Sequence, residues 1–143
     1  MVYTRDWHPE STPHFAKDGG EWPVHCVQHT PGAAYHPELR LVDGAFEVRK
    51  GTGSEDGYSG FSERDAGTGE ESVTDLDGHL KGLGVTSVAV VGLATDYCVR
   101  ATALDAVKLG YDTTVVSGAV AAVDAQGGER ALAEIAEAGG RVE

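Results

Sequence analysis

Positive charge is scarce in this chain. It carries 11 Lys and Arg against 23 Asp and Glu, a net charge of −12 with histidine neutral. No cluster of basic residues interrupts that excess of acid. Nucleic acid and anionic membrane surfaces need grouped cations, so neither is an expected partner. Long apolar runs are lacking too. No stretch reaches the ~20 residues that cross a bilayer, and no secretory leader is legible. Cysteine is limited to Cys26 and Cys98. The two thiols can pair, but a cytoplasmic enzyme with free thiols fits at least as well. The expectation is a soluble, cytoplasmic protein.

Glycine is plentiful, at 20 of 143 residues, against a usual share of ~7%, and implies many tight turns. The length suits one domain at ~150 residues each. Residues 1–36 hold five of the six histidines and four of the five prolines, and read as a long functional loop. "GAFEVR" at 44–49 alternates like a strand. Residues 51–72 are rich in glycine and acid and read as a loop. From Thr74 onward strands and helices alternate. "TDLDGHLKGLG" is a short helix, and Ser87–Leu93 ("SVAVVGL") a strand buried on both faces. "DYCVRATALDAVKLG" is a helix with Val99, Ala103, Ala106 and Val107 on one side. "YDTTVVSGAV" is a strand, "GGERALAEIAEAGG" a helix with Leu132 and Ile135 inward, and "RVE" opens a last strand. This order predicts an α/β fold with a parallel sheet and crossover helices.

Ligands of such sheets bind beyond the carboxyl ends of the strands. Cys98 has that address, in the first helical turn after Leu93. The helix end favours thiolate there, and Thr95 or Asp96 can cap the turn. The backbone N–H groups of Ala94 to Cys98 are placed to hold an oxyanion. The competing reading is an inert buried cysteine. Asp6 and His8, two residues apart, can begin a metal site, with His14 or His25 as a third ligand. Such a mixed set suits zinc, manganese or iron. A solvated polar loop is the competing reading. Lys50 closes a strand, where its ammonium can favour a thiolate. Most such lysines are merely surface residues.

The segments "TRDWHP" with "HF", "WPVHCVQHTPGAAYHPEL", "VRKG", "YSGF" and "GLATDYCVRATALDAVKLGY" run in one order across residues 3–120. Together they resemble the nicotinamidases of the isochorismatase-like cysteine hydrolases. The resemblance implies a parallel sheet with helices on both faces, a three-layer sandwich, and hydrolysis of nicotinamide to nicotinic acid and ammonia. It implies Cys98 as nucleophile and Lys50 as its catalytic partner. Asp6, His8 and His25 match the ligands of a divalent metal ion, and His14 a fourth ligand found in some members. The Leu93–Ala94 bond matches a cis peptide that builds an oxyanion hole from the N–H groups of Ala94 and Cys98. Trp22 and Tyr58 match positions lining the ring pocket.

The family's third catalytic residue is an aspartate ahead of "DWHP". Only Met1–Arg5 stand there, and Asp75 and Asp77 have only Val73 before them. The expectation is therefore a single hydrolase domain over residues 1–143 without the first strand and helix. It would be a fragment or late start of a working enzyme, an inactive metal-binding remnant, or a chain completed by a partner copy in a homo-oligomer. A related hydrolase of another small amide or ester shares the same pattern.

Overall fold

The computed structural model describes residues 1–143. They pack as two compact units, one of residues 1–57 and 63–74, the other of residues 58–62 and 75–143. No helix is long and apolar enough to cross a membrane.

In the first unit, β1 (Val2–Asp6) pairs in parallel with β2 (Phe46–Lys50), with Asp6 opposite Lys50. The opening segment is thus more ordered than its prolines and histidines suggest. The ladder continues past β1: Trp7 N–H donates to the Lys50 carbonyl at 2.8 Å. The Trp7 ring then carries the guanidinium groups of Arg5 and Arg49, each 4.5 Å from its centroid. Cation–π contacts of this kind favour the indole over a wholly solvated loop. Residues 51–72, read as a loop, include two short strands, β3 (Ser62–Arg64) and β4 (Glu71–Val73), paired with each other. Each has only three residues, too few for the alternation that marks a strand in sequence.

The second unit follows the predicted alternation. It runs α1 (Leu76–Gly82), β5 (Ser87–Leu93), α2 (Arg100–Lys108), β6 (Asp112–Ala121), α3 (Ala125–Glu137) and β7 (Arg141–Val142). The strands form a parallel sheet in the order β5-β6-β7. Crossover helices are what such a sheet requires, because parallel neighbours cannot be joined by a tight hairpin. Val99, Ala103, Val115 and Ile135 form a buried cluster, with Val90, Leu104, Val120 and Leu132 against it. The helical stripes read from sequence therefore face inward. α3 starts at Ala125 because the Asp124 side chain accepts from Gly127 N–H at 2.6 Å, satisfying an orphan donor of the first turn.

One expectation is corrected. Ser87–Leu93 is not buried on both faces: Val91 is 55% and Leu93 74% exposed. β5 pairs only with β6, and alternate residues point to opposite sides, so Val88 and Val90 are half-buried while the odd-numbered positions are open.

Ile135 is fully buried, and its truncation leaves a cavity in that cluster. Ile135→Ala is expected to lower unfolding free energy by about 2–5 kcal/mol. Leu83→Ala, at a residue 68% exposed, is expected to change it by no more than ~0.5 kcal/mol. Urea denaturation of the two variants checks this contrast.

Candidate metal centre and thiol turn

Three imidazoles converge in the first unit. One ligand atom from each of His8, His14 and His25 lies within 4.8 Å of the others. The local backbone explains the convergence. His8 N–H donates to the Cys26 carbonyl at 3.0 Å, and Gln28 N–H returns to the His8 carbonyl at 2.8 Å. This bridge sets the segment carrying His25 beside the one carrying His8. Trp22 N–H donates to the His14 carbonyl at 3.2 Å and Ala16 N–H to the Trp22 carbonyl at 2.7 Å, fixing His14 next to Trp22. Phe15 is fully buried beneath the cluster, with its ring centroid 5.4–6.1 Å from the three imidazoles.

The tautomers follow from the partners. A carbonyl only accepts, so a ring nitrogen beside one must carry the proton. His8 Nδ1 donates to the Gly51 carbonyl at 3.0 Å and His25 Nδ1 to the Pro23 carbonyl at 2.7 Å. Each Nε2 is therefore a lone-pair donor. His8 Nε2 is buried with no hydrogen-bond partner. A buried polar atom without a partner is costly, and a metal ion is one group that satisfies it. Burial pushes the His8 imidazole below its ordinary pKa, and His25 and Lys50 add to this against the opposing charge of Asp6. His14 is pushed down to about 4, first by burial and then by His8 and His25. Neutral imidazole is the form that binds metals, so these residues fit a divalent ion.

Asp6, whose charge acts on His8, is also ion-paired with a lysine. Its Oδ1 lies 3.0 Å from Lys50 Nζ. Lys50 is 2% exposed and also donates to the Gly57 carbonyl at 2.6 Å. A buried ammonium needs such partners, so this lysine is not the surface residue that its type usually is.

In the second unit, Thr95–Val99 form one π-helical turn ahead of α2. Val99 and Tyr97 N–H both donate to the Ala94 carbonyl, at 3.0 and 3.1 Å. The Tyr97 N–H is thereby engaged and is not one of the oxyanion donors expected from sequence. Cys98 sits within this turn, half-buried; neither it nor Cys26 is in a disulfide. The Leu93–Ala94 peptide is cis. Neither Thr95 nor Asp96 caps the turn. Instead the Asp96 carboxylate accepts from Val123 N–H at 3.0 Å and Asp124 N–H at 2.9 Å, tying the turn to the start of α3. Burial raises the Asp96 pKa, but those N–H groups outweigh it and hold the carboxyl below its usual range.

The first unit thus holds Asp6, His8, His14, Trp22, His25 and Lys50, and the second holds Tyr58, Ala94 and Cys98. The Trp22 ring lies 6.2 Å from His14 and 5.7 Å from His25, centroid to centroid. Sequence reasoning passed over Gly51 and Phe15 as holders of the imidazoles, although both stand in the quoted segments "VRKG" and "HF".

The model of the Isochorismatase domain matches residues 1–143, the whole chain. The chain belongs to the isochorismatase family. Family relatives include the nicotinamidase of Acinetobacter baylyi, 39% identical over 89% of this chain and 65% of its own length. The nicotinamidase/pyrazinamidase of Mycobacterium tuberculosis is 40% identical over 94% of this chain and 71% of its own. The chain thus spans about two-thirds of the length of these curated relatives. Among solved structures, the pyrazinamidase of Pyrococcus horikoshii in complex with zinc aligns with a TM-score of 0.87 at 43% identity. That alignment covers 99% of this chain and 73% of that one. PnC1 from L. infantum in complex with nicotinate aligns with a TM-score of 0.89 at 40% identity, over 99% and 70%. The fold is the isochorismatase-like α/β fold.

Within this family fold, the backbone at Gly51 is a second support for His8. Its φ is +61°, and a Cβ there would stand 2.4 Å from His8 Cε1 and 2.5 Å from Nδ1. Gly51→Ala is expected to displace the imidazole and to weaken any uptake of an added divalent ion by about 10–100-fold. Gly78→Ala, where a Cβ meets nothing within 4 Å, is expected to leave binding unchanged. Competition with a chromogenic chelator measures both.

The histidines also set a pH response of the metal-free protein. Folded His8 and His14 take up protons less readily than their unfolded counterparts near 6.5. As pH falls below that value the unfolded state binds more protons, so stability declines towards about 4, where His14 itself titrates. Chemical denaturation between pH 7.5 and 4.5, in wild type and His14→Gln, is expected to show a shallower decline in the variant.

Proposed function

We propose that this chain hydrolyses nicotinamide to nicotinate and ammonia, as a metal-containing cysteine amidase. The observation that carries the reading is the buried, unpartnered Nε2 of His8, set among His14 and His25 with the indole of Trp22 alongside. A flat aromatic amide with a ring nitrogen suits a wall of that kind beside a metal-binding cluster. Relatives named as nicotinamidases, one neighbour in complex with zinc and another with nicotinate support the same substrate and the same kind of ion.

The roles follow the family pattern residue by residue. His8, His14 and His25 with Asp6 would hold a divalent ion (zinc, manganese or iron), which would supply Lewis acidity there. Trp22 and Tyr58 line the ring pocket. Cys98 Sγ attacks the carboxamide carbon, forming a C–S bond, and the charge on oxygen is taken by the N–H groups of Ala94 and Cys98. The C–N bond then breaks, and the nitrogen leaves as ammonia with the proton that the thiol gave up. Water cleaves the thioester, releasing nicotinate and restoring the thiol. Lys50 serves as the catalytic lysine. No aspartate among these 143 residues matches the family's third catalytic position, and loss of a positioned base commonly lowers rate by about 10²–10⁴-fold. The hydrolase domain is taken to extend over residues 1–143, in a cytoplasmic setting, with a small molecule rather than nucleic acid or membrane as partner.

A second reading has its own support. The imidazole cluster is assembled wholly within the first unit, so metal binding does not require the thiol turn. A non-catalytic metal-binding protein would retain it, as would a hydrolase of another small amide or ester.

Incubation of the zinc-loaded chain with nicotinamide is expected to release nicotinate and ammonia in equal amounts, slowly. Cys98→Ala is expected to reduce release to background without changing zinc affinity. Zinc binding with no product from nicotinamide, pyrazinamide or simple esters would leave the metal-binding reading and remove the enzymatic one.

A further inference from the structure

We propose that Asp105 is a positioning residue, which fixes Tyr58 against Tyr97 beside the thiol turn. The inference rests on the reading of Tyr58 as a pocket-lining ring, and names what holds that ring in place.

Tyr58, Ser59 and Gly60 lie in no strand or helix, so no ladder holds them. Side chains of α2 hold Ser59 and Gly60 instead. Asp105 Oδ2 accepts from Ser59 Oγ at 2.6 Å and from Ser62 Oγ at 2.5 Å. Thr102 Oγ1 accepts from Gly60 N–H at 2.9 Å. Thr102 and Asp105 are three residues apart and so share one side of the helix. Ser59 is 4% exposed, and its Oγ also accepts from Phe61 N–H at 3.1 Å. Phe61, equally buried, stacks on Tyr111 at 5.7 Å. Residues 59–62 are thus pinned to α2 on both sides of a tight bend. The residue emerging next to the pinned stretch is Tyr58, whose ring lies 5.8 Å from that of Tyr97, tilted by 31°. Tyr97 immediately precedes Cys98.

Both serine bonds end on a single oxygen. That makes the role one of acceptance, not of charge or proton transfer. An asparagine presenting Oδ1 at the same point keeps both bonds, whereas alanine keeps neither. This separates positioning from any part as a general base, which asparagine would abolish.

The test uses the zinc-loaded full chain with labelled tyrosine. The wild type is expected to show a nuclear Overhauser contact between the Tyr58 and Tyr97 rings. Asp105→Ala is expected to lose it and to raise KM for nicotinamide by about tenfold or more with kcat little changed, and Asp105→Asn to restore both. If Asp105→Ala fails to fold, the double variant Ser59→Ala, Ser62→Ala takes its place with the same expected losses. A ring contact that survives either variant overturns the proposal, as does an Asp105→Asn protein that behaves like the alanine variant. If no form of the chain releases ammonia, the amidase reading falls, and the ring contact alone decides the role of Asp105.

Discussion

The hydrogen bond from His8 Nδ1 to the Gly51 carbonyl is the constraint on which the three-imidazole cluster depends. It settles the tautomer, and with it which nitrogen of the ring, Nε2, is left buried without a protein partner. It also ties the loop after β1 to the loop after β2, so the register of Asp6 with Lys50 and the aim of His8 are a single problem. A change in strand register that moved Gly51 would turn the imidazole away from His14 and His25. The positive φ at Gly51 belongs to the same constraint, because only glycine leaves room for the ring at that backbone angle.

The Lys50–Asp6 pair works beside this centre under a different rule. Its ammonium is buried, so its cost is met by the carboxylate and the Gly57 carbonyl together. Gly57 itself has a positive φ and would bring a Cβ within 2.8 Å of Gly51 N. The two glycines are therefore packed against each other, one supporting an imidazole and the other a cation. Short, glycine-rich chain between β2 and β3 is what such close backbone approach needs, and explains why that region looks featureless by composition.

Much of this was legible in the sequence, and for physical reasons. The second unit announces itself through periodicity, since Val99, Ala103, Leu132 and Ile135 must face one core. The histidines announce themselves through their type, since few other roles gather five of them in 36 residues. What stayed hidden depends on geometry that no period encodes. The open face of β5 was missed because an apolar β-branched run looks the same whether one face or two are covered. The engagement of Asp96 with the start of α3 was missed because an acid in a first turn is also a good cap. The pairing of Asp6 with Lys50 turns on a few ångströms that spacing along the chain does not fix.

The hidden residues have something in common. Gly51, Pro23 and Gly57 act through carbonyls, and Val123 and Asp124 through N–H groups. Backbone groups are the same in every residue type, so the holders of reactive side chains leave little mark on composition. Their mark is on allowed conformation instead: glycine where φ is positive, and proline where a carbonyl must be fixed near a ring. It follows that the imidazoles and the thiol draw attention in the sequence, while the small residues next to them set the geometry in which those groups are held. A chain that kept the three histidines but replaced Gly51 would look the same by composition, yet its cluster would be disarranged at the first imidazole.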